Sequence, residues 1–164
     1  MIINYIISTI SLYITRFIRL YNKYMISYAK ADDIKSVYDL ICELEDTILD
    51  EERFEDAFKR QTADDRYICL LYQDDEIIKG LLNMRIEAQL HHAGKIAEIM
   101  ELVVGKKYRG NNIGSELIEK AIEIARAEEC LRIELSSSKW RTDSHRFYQD
   151  KGFIASYINL TKDL

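Results

Sequence analysis

From residue 25 onward the apolar positions change period in a regular order. Residues 25–30 read as a short strand. Asp32 or Asp33 then stands as an N-cap before Ile34, Val37, Tyr38, Ile41 and Leu44, whose three- and four-residue spacing places them on one helix face. A second, acidic helix is expected around Phe54, Ala57 and Phe58. Residues 67–73 and 77–89 read as two strands joined at Asp74-Asp75, a hairpin. A turn through His91, His92, Ala93 and Gly94 leads into a further strand over 95–104. A glycine-bearing loop follows and opens a long helix with Ile113, Leu117, Ile118, Ala121, Ile122 and Ala125 on one side. Residues 132–136 alternate as a strand, 142–151 form a helix ended by Gly152, and 153–160 are expected to close the sheet as its sixth strand. No linker, repeat or low-complexity stretch interrupts this order, so residues 25–164 read as one α+β domain.

Residues 1–24 stand apart as an amphipathic extension: an apolar run is followed by Arg16, Arg19 and Lys23, with no acid. A secretory signal places its positive charge before the apolar run, so export is not expected. The uninterrupted apolar part, ending near Thr15, falls short of the roughly 20 residues of a membrane span. Three readings stay open for this segment: a helix packed on the domain or a partner, an extension ahead of a working start at Met25, or an interfacial membrane helix.

Composition narrows the class. With 164 residues, 48% hydrophobic and 31% charged, the chain has the apolar mass for one core, which excludes a disordered or collagen-like chain and a polytopic membrane protein. Setting aside the three basic residues of 1–24 leaves 20 basic against 28 acidic over 25–164, a formal charge of −8. Such a body is a poor nucleic-acid binder, because duplex binding rests on neutralising phosphates. Cys42, Cys69 and Cys130 form an odd set without C-x-x-C spacing and read as reduced thiols in apolar stretches, hence a cytoplasmic protein.

Three stretches carry candidate chemistry. Arg109-Gly110-Asn111-Asn112-Ile113-Gly114-Ser115 lies between an apolar strand and a helix start, where backbone N–H groups and the positive end of a helix dipole converge on one place fit for phosphate. Lys106, Lys107 and Arg109, in an otherwise acidic protein, tilt the loop from a purely structural turn toward a polyphosphate site. Beside it, Glu98 and Glu101 stand three apart in an apolar strand. Period two sends them to opposite faces unless a bulge intervenes, and a partly buried carboxylate with a raised pKa serves as a general base. Ser136 to Arg141 then leads into His145-Arg146-Phe147-Tyr148, where Phe147 reads as packing and the Tyr148 hydroxyl as a proton donor if it reaches a site. His91 and His92 lack a third ligand at a recognisable spacing, and no metal site is expected.

In this order and spacing the three stretches resemble the GNAT superfamily of N-acetyltransferases over residues 25–164. The R/Q-x-x-G-x-G/A motif of that superfamily falls on Arg109 to Gly114, with Asn112 in place of its first glycine. Within the superfamily, residues 37–44, 89–92, 98–104, 134–136 and 145–148 are similar to aminoalkylphosphonate N-acetyltransferases. The resemblance implies a mixed, mostly antiparallel sheet flanked by helices, and acetyl-CoA as donor. The backbone of Leu102, Val103 and Val104 would then pair with pantetheine, and Arg109, Gly110, Asn111, Asn112, Ile113, Gly114 and Ser115 would hold the pyrophosphate. Glu98 or Glu101 would deprotonate the acceptor amine, an N–H near Leu102 would steady the negative charge developing on the carbonyl oxygen, and Tyr148 would protonate the departing thiolate. Arg141, Arg146 and His92 are the candidates for an anionic acceptor such as an aminoalkylphosphonate, with Lys139 beside them. Acetylation of a polyamine or aminoglycoside, and a CoA-binding module without turnover, are the competing expectations. The partner expected is a small-molecule amine, with no nucleic acid or membrane, and a homodimer is left open.

Overall fold

The computed structural model describes residues 25–74 and 76–163; the extension over 1–24 lies outside them. The elements run β1 (Met25–Tyr28), α1 (Ile34–Glu45), α2 (Glu51–Thr62), β2 (Tyr67–Asp74), β3 (Ile77–Gln89), β4 (Gly94–Val104), α3 (Ile113–Ala127), β5 (Arg132–Leu135) and α4 (Thr142–Asp150). One five-stranded sheet has the order β1-β2-β3-β4-β5, antiparallel throughout except for the parallel β4–β5 pair.

Alternation along the central strands divides the core between the two faces of this sheet. Leu82, Met84 and Ile86 of β3 and Ala97 and Ile99 of β4 face the apolar side of α3, made by Ile113, Leu117, Ile118 and Ala121. Leu81 of β3, Leu71 of β2 and Val103 of β4 face Val37 and Leu40 of α1 and Phe58 of α2. Leu70, Leu81, Leu82, Met84, Leu117 and Ile118 are sealed from solvent, and burying each such side chain stabilises the fold by about 1.5–3 kcal/mol. Asp50 caps α2 by accepting from the Arg53 N–H at 2.9 Å. Asp33, at the N-cap position of α1, instead turns its carboxylate back onto the Lys30 N–H at 2.7 Å.

Two departures from the sequence pattern matter. Among the described residues the sheet has five strands rather than six, because residues 153–160 form no strand. Gly152, at φ 85°, ends α4, and the segment beyond leaves Ile154, Ile158 and Leu160 more than four-fifths exposed. Its recorded tie to β5 is Arg132 donating to the Tyr157 hydroxyl at 3.0 Å. The second departure is a bulge in β4. Asn83 pairs with Glu101 but Met84 pairs with Ile99, so Met100 is the extra residue and the strand's alternation resets there.

Candidate active site

The bulge decides where the carboxylates go. Glu98 lies opposite Arg85 and Glu101 opposite Asn83, and since Asn83 and Arg85 are two residues apart on β3, both glutamates share one face, the one covered by α1 and α2. The expectation that alternation separates them is corrected by the one inserted residue. Their surroundings still differ. Glu98 is held by the Arg85 guanidinium at 3.0 Å, and Arg85 also reaches Glu87 at 3.1 Å. Glu101 instead faces a cavity of about 390 Å³ under α1 and α2, and accepts from Asn83 Nδ2 at 2.9 Å. Burial pushes the Glu101 carboxyl above its ordinary value; the Asn83 hydrogen bond opposes this, and Glu45 and Glu98 add to the rise.

Apolar side chains from β3, α1 and α2 make most of the cavity wall, among them Val37, Ile41, Phe54, Phe58 and Leu81. Its polar groups are Gln61, Thr62, Asn83, Glu101, the thiol of Cys69 and the tyrosines Tyr28 and Tyr67. Burial raises the Cys69 thiol to about 12, so it stays protonated and is no nucleophile. All three cysteines are free and partly buried.

The same bulge leaves an open edge. Parallel pairing of β4 with β5 stops at Ile99 and Leu135, so among the described residues Leu102, Val103 and Val104 pair with β3 alone and their other edge has no strand beside it. The Arg109 loop follows. Gly110 at φ 77° and Asn112 at φ 63° take the left-handed conformation, which asparagine tolerates better than most residues, so the turn survives without the motif's glycine. No side chain caps the start of α3, which leaves its first N–H groups for an anion. Arg109 is braced against the Val104 carbonyl at 3.1 Å, and Glu116 in the first turn is drawn to Asn112 Nδ2 at 3.4 Å. A Cβ at Gly114 would meet Phe147 at 3.4 Å and Val104 at 3.7 Å, ordinary van der Waals contact, so the space where α3, α4 and β4 meet beside the open edge admits a methyl group but no larger side chain without displacing Phe147.

Tyr148 packs with its ring edge-on to Phe147 and Phe153, at centroid distances of 5.3 and 5.8 Å. Burial raises its hydroxyl pKa, with Arg141 pulling the other way, so it stays protonated at neutral pH. The residues expected to meet an anionic acceptor are not brought to the cavity wall. Arg141 donates to the Leu44 carbonyl at 3.0 Å and pairs with Glu45 at 3.3 Å, tying α4 to the end of α1. Arg146 is bound to Asp143 on its own helix. His92 stands with His91 at the closed end of the β3–β4 hairpin, six residues of β3 and roughly 20 Å from the Asn83–Glu101 pair. Among the described residues no lysine or arginine lines the cavity. Asn83 and Gln61 went unnoticed in the sequence, although an asparagine inside the apolar run 81–86 was a readable sign of a buried polar position.

Among the described residues no group of three or more His, Cys, Asp or Glu is placed to hold a metal ion, and no helix is long and apolar enough to cross a membrane.

Comparison with known proteins agrees with this fold. Residues 20–153 match the acetyltransferase (GNAT) family. Over 138 residues the chain is 39% identical to an aminoalkylphosphonate N-acetyltransferase of Salmonella typhimurium, covering 84% of this chain and 89% of that protein. Over 139 residues it is 27% identical to a glucosamine 6-phosphate N-acetyltransferase of Arabidopsis thaliana, covering 80% and 90%. A crystal structure described as a transcriptional regulator from Bacillus halodurans superimposes with a TM-score of 0.80 at 26% identity, over 86% of this chain and 99% of that one. The chain therefore belongs to the GNAT family of acetyltransferases and is an N-acetyltransferase.

Proposed function

We propose that this N-acetyltransferase takes its acetyl group from acetyl-CoA and places it on the primary amine of a small molecule, with an aminoalkylphosphonate as the leading acceptor. The observation that carries the reading is the position of Glu101: a carboxylate with a raised pKa, at a cavity, on the strand whose next residues have an unpaired edge.

The residues present fit the donor. The uncapped start of α3, with Arg109 to Ser115, suits the pyrophosphate, and the open edge of Leu102 to Val104 suits the amide groups of pantetheine. When bound, acetyl-CoA supplies a thioester carbonyl that a neutral amine can attack. A primary amine of pKa near 10 is only about 0.1% neutral at pH 7, so its proton must be removed first. Glu101 takes that proton, its raised pKa bringing it closer to the working pH than an exposed carboxylate. Glu98, held by Arg85, is the weaker candidate. Tyr148, protonated and packed beside Phe147, is the group available to return a proton to the leaving thiolate.

Similarity to the Salmonella typhimurium protein supports the phosphonate acceptor. Among the described residues the wall has Glu101 as its acidic residue and no basic one, which supports entry of the amine end, leaving a phosphonate outside the cavity. The same wall favours a second reading, a polyamine or aminoglycoside acceptor drawn by the negative body. Thiol release from acetyl-CoA, measured with 2-aminoethylphosphonate, spermidine and an aminoglycoside, tests both. Turnover with 2-aminoethylphosphonate supports the first; turnover confined to the cationic amines replaces it with the second. Release with no amine at all would sink the transferase mechanism built on Glu101.

A further inference from the structure

The last turn of α1 is held from a distant part of the chain. A helix leaves its final carbonyls without partners of its own. One of them, on Leu44, accepts from Arg141 Nη2 at 3.0 Å across 97 positions of sequence, and the same nitrogen pairs with Glu45 at 3.3 Å. Arg141 stands immediately before α4, the helix that carries Tyr148, and α1 supplies Val37 and Ile41 to the cavity wall. One side chain therefore joins the element bearing the proposed acid to an element that roofs the acceptor cavity. The charges agree with that placement. Burial raises the Tyr148 hydroxyl and Arg141 pulls it down; burial raises the Glu101 carboxyl, and Glu45, the partner of Arg141, adds to the rise. The bond to Leu44 is partly buried, where a charged donor contributes more than it does in a fully solvated pair. The same turn is also tied to the segment ahead of the Arg109 loop: Glu43 accepts from the Lys106 N–H at 2.5 Å, and Lys106 Nζ lies 3.5 Å from Asp46.

Resting on the reading that the acceptor amine enters this cavity, we infer that Arg141 is a positioning residue for the acceptor: from the start of α4 it holds the end of α1, and so fixes the roof of the cavity against the helix that carries Tyr148. It touches neither the amine nor the thioester. Val37 and Ile41 can press an acceptor toward Glu101 only while α1 stays down on the sheet, and an error of about 1 Å in that placement can cost about 10²-fold in rate. The acceptor's own charge does not enter this account. An anionic and a cationic amine therefore depend on Arg141 alike, unlike the case in which its guanidinium binds a phosphonate directly.

The test compares Arg141→Met, which keeps the apolar stem and removes the donors and the charge, with Arg141→Lys, which keeps a charged donor on a stem of similar length. Backbone amide exchange, read by NMR on the full chain, needs no substrate. In Arg141→Met the amides of Leu44, Glu45 and Asp46 should exchange at least about threefold faster than in wild type, the loss of one partly exposed hydrogen bond from a charged donor. Those of Arg126 and Ala127 at the end of α3 should keep their rates, and Arg141→Lys should return the α1 turn toward wild type. With each panel amine that turns over, kcat/KM in Arg141→Met should fall at least about tenfold and by a similar factor from one amine to the next, with acetyl-CoA affinity within about twofold of wild type. Arg141→Lys should recover most of that loss. A loss confined to 2-aminoethylphosphonate would make Arg141 a direct contact of the phosphonate and overturn the positioning role. Unchanged kcat/KM in Arg141→Met, or equal losses in the Met and Lys variants, would overturn it as well. Unchanged exchange in the α1 turn would overturn the tie itself. Failure of the wild type to acetylate any panel amine, with the exchange result intact, would sink the acceptor reading and leave Arg141 as a tie between two helices.

Discussion

Replacing Glu101 with glutamine should lower activity and raise stability in the same molecule. The side chain keeps its size, and an amide oxygen can still accept from Asn83 Nδ2, now at 2.9 Å from the carboxylate. What disappears is a buried charge. A carboxyl whose folded-state pKa lies above its unfolded value penalises the native state fully above that raised pKa, and the penalty fades as pH falls through it toward the ordinary carboxylate value. Each pH unit separating the two titrations is worth about 1.4 kcal/mol, and 1 kcal/mol moves the thermal midpoint of a domain this size by about 2–4 °C. Glu101→Gln should therefore melt higher than wild type at pH 7.5, and the gap should narrow as the pH is lowered into the carboxylate range. Its kcat/KM should fall by about 10²–10⁴, with the acidic limb of the pH profile lost, as for removal of a general base. Glu98→Gln is the comparison. It breaks an ion pair about one-third exposed, with Arg85 keeping Glu87 at 3.1 Å, so it should change stability by less than about 1 kcal/mol and leave the acidic limb in place. The reasoning fails if Glu98→Gln abolishes the limb while Glu101→Gln keeps it, for then the base is the carboxylate held by arginine.

Three further outcomes are expected. Tyr148→Phe removes a hydroxyl and leaves the ring contacts with Phe147 and Phe153, so folding and acetyl-CoA affinity should survive while kcat falls about 10²-fold in single-turnover and steady-state assays; unchanged kcat would return Tyr148 to packing alone. Gly114→Glu must push Phe147 aside and brings negative charge to the start of α3, so calorimetry on the folded variant should show acetyl-CoA binding weakened at least about tenfold. Gly114→Ala, whose Cβ meets Phe147 only at van der Waals distance, should bind acetyl-CoA within a few-fold of wild type, which separates charge and bulk from the mere loss of glycine.

Local chemistry was enough to read most elements from the chain. The spacing of Ile34 to Leu44 and of Ile113 to Ala125 demands one-sided helices, and the apolar runs on either side of Asp74 demand paired strands, because each pattern buries its apolar face in only one way. The loop from Arg109 to Ser115 was legible for the same reason: asparagine and glycine tolerate a left-handed turn, and a helix start attracts an anion wherever it lies. Strand pairing and side-chain partners are not local properties. A strand-like pattern over 153–160 did not produce a sixth strand, since alternation says nothing about whether a neighbour is present to pair. The sequence shows Glu98 and Glu101 three apart, but only the pairing of β4 with β3 inserts Met100 as a bulge and turns both carboxylates to one face. Arg141 and Arg146 looked available because their charges are visible in one dimension, while the Leu44 carbonyl, Glu45 and Asp143 that engage them became evident only in the fold. Burial distinguishes Glu101 from Glu98 and leaves Asn83 with an unanswered acceptor. It arises from α1 and α2 closing over the sheet, an event no residue type encodes by itself.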